Sequence, residues 1–294
     1  LTTIGGDLLI ADNDGLRKLV GLQNLTSIGG DFDVEKNDTI KSFYGLEKLQ
    51  TVGGKLSVSS NQAMTSLEGL EKLETVNEWV IVTYMNSLGD LTGLNGLTSS
   101  GMLYIHQNEI LTSLSGLEQL TVGGGLNLLD NPMLAELEGL NNVTTITGNV
   151  DIDDSDALTS LKGLDSLNTI KGNLHIYDND ALTSLAGLDD LISVEGEVVI
   201  NWNDHLPTLS GLNGLTTVGQ GLIIANNKFL KDLIGLDSIN SVDTLVVADN
   251  LRLNTLAGIE SLMFANSVFI KDNFGSQPNV PQEDIDELLN RLGL

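Results

Sequence analysis

Apolar residues recur along the chain in units of 23 or 24 residues. Gly-Leu pairs mark the period from Gly21-Leu22 to Gly235-Leu236, and Gly258-Ile259 continues the series. The unit reads L-x-T-I-x-G-x-L-x-I-x-x-N-x-x-L-x-x-L-x-G-L-x-x, and residues 167–190 are a clear example. Self-similarity at this period predicts a stacked architecture, in which neighbouring units bury each other's apolar edges.

Each unit contains a segment with the alternation of a β-strand. In one unit Leu174 and Ile176 are predicted to point inward, whereas Asn173, His175 and Tyr177 point outward. The later leucines of a unit lie three residues apart, which favours short turns or 3₁₀ segments. No unit has room for a full α-helix beside its strand. We therefore predict about twelve coils, each with one short strand that pairs in parallel with the next and an irregular return.

Two further positions recur and are interpreted as structural. An asparagine follows most of the predicted strands, and other residues replace it at Met85 and Ser155, where we expect local irregularity. A buried Asn at this position is expected to bond the backbone of its own and of neighbouring coils. The glycine of each Gly-Leu pair indicates a positive φ angle or a close approach between backbones.

The run I-x-G-x-L-x-I-x-x-N-x-x-L resembles leucine-rich-repeat solenoids, whose usual spacing is L-x-x-L-x-L-x-x-N-x-L. Here the gap from Ile170 to Leu174 is longer and contains Gly172. This variant is similar to the receptor L-domains, the ligand-binding solenoids of growth-factor and insulin receptors, and to related microbial surface proteins. The resemblance covers residues 1–273 and implies a β-rich leucine-rich-repeat solenoid with a parallel sheet on one face.

The last residues depart from the repeat. Residues 279–281 break the pattern, and residues 282–292 have the apolar spacing of an amphipathic helix, with acidic residues near its start. We therefore assign residues 1–273 to the solenoid and residues 274–294 to a C-terminal helical cap of the same domain. Leu1 stands in mid-pattern without a preceding cap, so we expect the chain to be a fragment of a longer protein.

Charge and composition exclude several classes of function. The 294 residues include 14 Lys and Arg against 40 Asp and Glu, which makes the net charge −26. Such a chain repels nucleic acid and anionic membrane surfaces. No apolar stretch approaches the length of about 20 residues that a membrane span requires, so we expect no membrane insertion. The absence of cysteine excludes disulfides, thiol catalysis and cysteine metal sites.

The outward face of the sheet is the expected binding surface. Only 4% of the residues are aromatic, and several of them fall on this face near carboxylates. Aromatic rings bordered by carboxylates suit a protein partner or a glycan. Tyr84 and Trp202 are secondary candidates. The predicted ligand-binding residues are Trp79, Ile81, Met102, Tyr104, His106, Asp151, Asp153, His175 and Tyr177.

The acidic part of this surface supports two alternatives. The segment 151–156 offers oxygen ligands for Ca²⁺, but it lacks the twelve-residue calcium-loop spacing, so no cofactor is predicted. Asp151 and Asp153 also share a face, as the two carboxylates of a carbohydrate-active β-solenoid enzyme would. No nucleophile or phosphate-loop motif supports catalysis, so we expect the protein not to be an enzyme.

A row of hydroxyl residues offers a third alternative. Its regular spacing resembles ice-binding solenoids, although the hydroxyls also suit hydrogen bonds to the turn backbone. A structural spacer in a longer surface protein is the remaining alternative. The row comprises Thr3, Ser27, Thr51, Thr75, Thr98, Thr121, Thr145, Thr169, Ser193, Thr217 and Ser241.

These observations together favour non-catalytic recognition or adhesion. We expect a secreted or cell-surface protein of microbial origin that is a monomer and binds a protein or glycan through the exposed sheet face. The high negative charge keeps such a platform soluble.

Overall fold

The computed structural model describes residues 1–122, 124–273 and 280–294, which divide into two compact units, Leu1–Val143 and Thr144–Leu294. Each unit is a parallel β-solenoid in which equivalent residues of successive repeats pair in register. The predicted fold class, a leucine-rich-repeat-like solenoid with a C-terminal helix, is therefore confirmed.

Unit 1 consists of parallel strands joined by turns. The longer strands pair in the order β2-β4-β6-β7-β8-β10, and the two-residue strands extend along β1-β3-β5-β7-β8-β9. In chain order the strands are β1 (Thr3–Ile4), β2 (Leu8–Ala11), β3 (Ser27–Ile28), β4 (Phe32–Glu35), β5 (Thr51–Val52), β6 (Leu56–Ser59), β7 (Thr75–Thr83), β8 (Ser99–His106), β9 (Thr121–Val122) and β10 (Leu126–Leu129).

Unit 2 repeats this arrangement and ends in a helix. Its longer strands pair in the order β12-β14-β16-β18-β19-β20, and its two-residue strands extend along β11-β13-β15-β17-β19. The elements are β11 (Thr145–Ile146), β12 (Val150–Asp153), β13 (Thr169–Ile170), β14 (Leu174–Tyr177), β15 (Ser193–Val194), β16 (Val198–Asn201), β17 (Thr217–Val218), β18 (Gly221–Ala225), β19 (Ser241–Ala248), β20 (Phe264–Lys271) and α1 (Gln282–Leu292).

Most coils contain two strand segments, so the prediction of one strand per coil is wrong. The Thr-Ile pair that opens a coil also alternates outward and inward, as Thr169 and Ile170 do, and it pairs in parallel with its neighbours. A short turn with glycine separates it from the longer strand. In β7, β8, β19 and β20 the two segments merge into one strand, and a bulge lies between Val76 and Trp79.

The returns are built from successive tight turns, as the leucine spacing predicts. The N–H of Leu182 donates to Asn179 O, and that of Leu188 donates to Leu185 O, at 3.0 and 3.1 Å. These leucines are fully buried. Gly187 has a φ angle of 110°, and a Cβ there would overlap the Leu161 carbonyl of the preceding coil. Both interpretations of the recurrent glycine are therefore correct at this position.

Each longer strand is followed by a residue in the left-handed region, with φ between 44° and 62°. The next residue is the recurrent Asn, which is buried in most coils. Met85 and Ser155 take this place in two coils, but the residues before them, Tyr84 and Asp154, keep φ angles of 56° and 51°. The backbone at these two positions therefore follows the repeat, and the local irregularity is the interruption of the row of buried Asn side chains.

The helix α1 has the bounds that the sequence predicts and packs on the last coil of unit 2. Leu288 on its apolar face is buried, and the Arg291 guanidinium donates to Ile259 O and Leu262 O at 2.9 and 3.1 Å. Gly293, with φ 72°, ends the helix. Of the predicted cap, residues 274–279 lie outside the described residues. The assignment of the chain to a single domain of solenoid and cap stays a prediction. Within the described residues, no helix is long and apolar enough to cross a bilayer.

Candidate functional site

The predicted ligand-binding residues form two groups, one on each unit. The group on unit 1 lies on β7 and β8, where the parallel register places Trp79 beside Met102 and Ile81 beside Tyr104. This group, here called the aromatic patch, consists of Trp79, Ile81, Met102, Tyr104 and His106. The sequence prediction that these five residues share one face of the sheet is consistent with the observed register.

The aromatic patch is held by ring contacts around His106. The His106 imidazole lies 5.8 Å from the Tyr104 ring and 5.7 Å from the Tyr84 ring, the latter edge-on. Its Nδ1 atom is 3.3 Å from Leu129 O and 3.6 Å from a carboxylate oxygen of Asp130. Tyr84 therefore belongs to the patch, although it follows β7 at the left-handed position rather than lying within the strand.

Exposure differs sharply within the aromatic patch. Trp79 and Tyr84 are 48% and 47% exposed, whereas Tyr104, Met102 and Ile81 are half-buried by their neighbours. A surface with two large exposed rings beside half-buried apolar side chains has the composition of a contact surface.

The sheet face before the aromatic patch carries charges instead of rings. The Lys55 ammonium lies 3.2 Å from Asp33 and 3.7 Å from Asp31. The hydrogen bond that Lys55 donates to Asp33 raises the pKa of the lysine; burial opposes this effect, and attraction to both carboxylates adds to it. The rings thus occur next to a region where charges are paired.

The group on unit 2, here called the imidazole–carboxylate patch, consists of Asp151, Asp153, His175 and Tyr177. The register pairs Asp151 with His175 and Asp153 with Tyr177, as the repeat alignment predicts. The rings of His175 and Tyr177 lie 5.5 Å apart and are tilted by 59°.

His175 is the centre of the imidazole–carboxylate patch. Its Nδ1 atom is 2.7 Å from Asp151 Oδ1, and its Nε2 atom is 3.2 Å from Glu197 Oε1. The side chain of His175 is only 17% exposed. The two ring nitrogens thus contact carboxylates of the preceding and the following coil, so the imidazole links three adjacent coils.

Sequence reasoning missed Glu197. It lies just before β16, at the outward position equivalent to Asn173 one coil earlier. The alternation therefore places Glu197 on the same face as His175, and this was the signal in the sequence that could have found it.

Tyr177 stays neutral over a wide pH range in this setting. Burial raises the pKa of its phenol, and repulsion from Glu197, Asp151 and Asp153 raises it further. The phenol is therefore a hydrogen-bond donor at the edge of the patch, not a charged group.

Asp151, one of the two carboxylates of the glycosidase alternative, directs its Oδ1 atom to the imidazole of His175 at 2.7 Å. Among the described residues, no group of three or more His, Asp or Glu side chains is arranged to hold a metal ion.

The hydroxyl row differs from the prediction in one coil. Ser99, not Thr98, pairs with Thr75 and with Thr121, because Ser99 follows Thr75 by a full repeat of 24 residues. The Thr98 hydroxyl donates to Glu74 O at 3.0 Å, and that of Thr121 donates to Thr98 O at 2.8 Å. These two hydroxyls therefore form hydrogen bonds to the turn backbone. This agrees with the interpretation of the row as structural instead of ice-binding.

Trp202, like Tyr84, is a secondary candidate for ligand binding that lies outside the strands. It follows β16 at the left-handed position, has a φ angle of 62° and is 48% exposed. A bulky residue rarely adopts this conformation.

Comparisons with known proteins leave the function open. No known protein family matches the chain, and no curated protein matches it. Among solved structures, the TLR13–ssRNA13 complex is similar at 13% identity over 94% of this chain and 57% of that chain, with a TM-score of 0.18. The chain thus spans just over half the length of that protein, and a likeness this weak carries no argument about function. The leucine-rich-repeat-like character of the chain rests on its own strand register.

Proposed function

We propose that this chain is a non-catalytic recognition module of the receptor L-domain type. It acts at a cell surface or outside the cell, as a monomer without a cofactor, and binds a protein or glycan ligand through the sheet face. The observation that carries the proposal is the aromatic patch of unit 1, where Trp79 and Tyr84 are half-exposed beside Tyr104 and His106.

A ligand that binds the aromatic patch gains contact area and orders few side chains. Large rings contribute most of the binding energy at many interfaces, because they bury much area and lose few rotatable bonds. Here pairing of β7 with β8 and the contacts of His106 already fix several of the rings. A ligand that covers the patch therefore orders few side chains, which favours affinity.

The imidazole–carboxylate patch of unit 2 adds polar recognition in this proposal. Asp151 and Glu197 are held by His175, and the Tyr177 phenol is neutral, so the patch offers fixed acceptors and a donor. Such groups suit hydroxyls of a glycan or amides of a protein.

A screen of the purified chain on glycan and protein arrays, with and without Ca²⁺, tests the proposal. A ligand found there is then titrated against the double variant Trp79→Ala/Tyr104→Ala. We expect at least about tenfold weaker binding, which corresponds to about 1.4 kcal/mol. The matched control is Ile110→Ala/Met133→Ala, which removes two exposed apolar side chains from the returns of the same unit.

Two results would overturn the proposal. Equal loss in the control variant would mean that any exposed apolar side chain of unit 1 contributes as much as the patch. Binding that is unchanged in the double variant, or no binding on either array, would favour the structural spacer.

A further inference from the structure

A groove on the returns of the first three coils of unit 1 differs in charge from the rest of this acidic chain. Its volume is about 580 Å³, within the range of ligand pockets. Arg17, Lys18 and Lys41 line it together with the ring of Tyr44, and Asp38 is the one carboxylate in its lining. The groove is formed by turns and is distinct from the aromatic patch on the strands.

The cations of this groove are not neutralised by neighbouring carboxylates. Among the described residues, no carboxylate oxygen lies within 4 Å of Arg17, Lys18 or Lys41, whereas Lys55 and Lys228 each have such a partner. In a chain with 40 acidic and 14 basic residues, three unpaired cations around one cavity are a local reversal of charge. A positively charged cavity attracts a small anionic group. The net charge of −26 on the whole chain nevertheless repels a long polyanion such as nucleic acid.

The ring of Tyr44 gives the groove a second kind of contact. It is 48% exposed, and the Lys18 ammonium lies 4.5 Å from its centroid. The backbone around it is fixed, because Leu19 N–H donates to Tyr44 O at 2.9 Å and Tyr44 N–H donates to Ser42 Oγ at 3.4 Å. The wall of the groove is therefore preorganised, which lowers the cost of binding.

We propose that this groove binds a negatively charged saccharide. Its carboxylate or sulfate groups pair with Arg17, Lys18 and Lys41, and a sugar ring lies against the Tyr44 side chain. A peptide made of acidic residues alone matches the cations equally well but has no ring to lie against Tyr44, so the saccharide accounts for both features. The site does not depend on the function proposed for the sheet face.

The test is calorimetric titration of the whole chain at low salt with four probes. They are an oligogalacturonide, a sulfated oligosaccharide, a neutral dextran oligomer and a poly-glutamate peptide. We expect at least one of the two charged saccharides to bind, and both neutral dextran and the peptide to bind at least about tenfold more weakly. Binding should weaken as salt is added.

Two sets of variants locate the site. Arg17→Gln/Lys18→Gln/Lys41→Gln should lose at least about tenfold in affinity. Lys162→Gln/Lys171→Gln/Lys231→Gln changes the net charge equally with exposed lysines of unit 2, and it should keep most of the affinity. The variant Tyr44→Phe should bind as the parent does, whereas Tyr44→Ala should lose about fivefold or more.

Several outcomes would overturn this proposal. These are no binding of either charged saccharide, equal binding of poly-glutamate, an equal loss in the unit 2 triple variant, and full affinity in Tyr44→Ala. The Trp79→Ala/Tyr104→Ala variant should leave saccharide binding intact. A loss of saccharide binding in that variant would place the saccharide at the aromatic patch and would contradict the groove as the binding site. Failure of the groove proposal can thus be told apart from failure of the function proposed for the sheet face.

Discussion

The backbone N–H and the side-chain amide of Asn179 both donate to Oδ1 of Asn203 on the next coil, each at 3.3 Å. Asn203 in turn donates to Ile176 O and Asn201 O, at 2.9 and 3.1 Å, and both asparagines are fully buried. Each Asn therefore bonds its own coil and both neighbouring coils. Since an unpaired buried amide is costly, this ladder fixes the register of the strands beside it.

We predict that Asn203→Ala lowers the free energy of unfolding by about 2–4 kcal/mol, because it leaves the buried Asn179 N–H without its acceptor. Urea denaturation followed by circular dichroism measures the change. Ser155→Ala is the matched control: Ser155 occupies the equivalent position, but its buried hydroxyl has no hydrogen-bond partner among the described residues, so its loss should be close to neutral. An equal effect of the two substitutions would contradict the role of the ladder.

A second prediction separates backbone strain from steric overlap at the recurrent glycine. Gly187 has a φ angle of 110°, and an added Cβ would overlap the Leu161 carbonyl; Gly21 has a φ angle of 112° but open space around it. Gly187→Ala should cost more than the 1–3 kcal/mol or so that strain alone predicts, and Gly21→Ala should cost no more than that. Thermal unfolding of both variants measures the difference. Gly89→Ala, with open space and no positive φ, should be neutral or slightly stabilising.

The repeat made much of the fold predictable from the sequence. Because equivalent letters of successive units stack, the positions of Leu174, Ile176 and His175 follow from the period alone, and so does the pairing of His175 with Asp151. The bounds of α1 follow from its apolar spacing. The sequence does not predict the short strand that precedes the longer one in most coils, since a two-residue Thr-Ile pair is too short to show alternation.

The contacts of the candidate site were less predictable for two physical reasons. The Tyr84 ring contacts His106 from the left-handed residue that follows β7, and a sequence shows no φ angle. Ser99 stands in the hydroxyl row because it follows Thr75 by a full 24 residues, and the offset between β7 and β8 falls to 23 only beyond the bulge, between Trp79 and Met102. The 23- and 24-residue spacings do not show where within the coil this change falls.

A third prediction concerns the attachment of α1 to the last coil. Arg291→Met keeps most of the apolar stem but removes the two hydrogen bonds to Ile259 O and Leu262 O. We expect a loss of about 1–3 kcal/mol, because the donor is charged and partly buried. Amide hydrogen exchange in β20 should accelerate, since this strand would lose its cover. Arg252→Met, which removes a guanidinium over the exposed side of Phe229, is the control. Unchanged exchange in β20 would show that α1 does not protect this edge.

The last prediction follows from the acidic turns of unit 2. Partial burial raises the pKa of Asp178 above 3.8, and repulsion from Asp180, Asp156 and Asp204 adds to the effect, while Lys228 opposes it. A carboxyl with a raised folded-state pKa destabilises the fold once it is charged, so stability falls as pH rises from 3.8 through the folded pKa.

Asp178→Asn should therefore stabilise the chain at pH 7, by only about 0.5 kcal/mol because solvent screens this exposed side chain. Asn also tolerates the left-handed conformation at this position, where φ is 44°. The gain should shrink as pH falls through 3.8 and vanish well below it, where the aspartate is neutral in both states, and it should also shrink in high salt. Thermal unfolding at several pH values measures it, and Asp190→Asn, an exposed return residue of the same unit, controls for the change in net charge. A gain that is the same in both variants would reflect net charge rather than the cluster around Asp178.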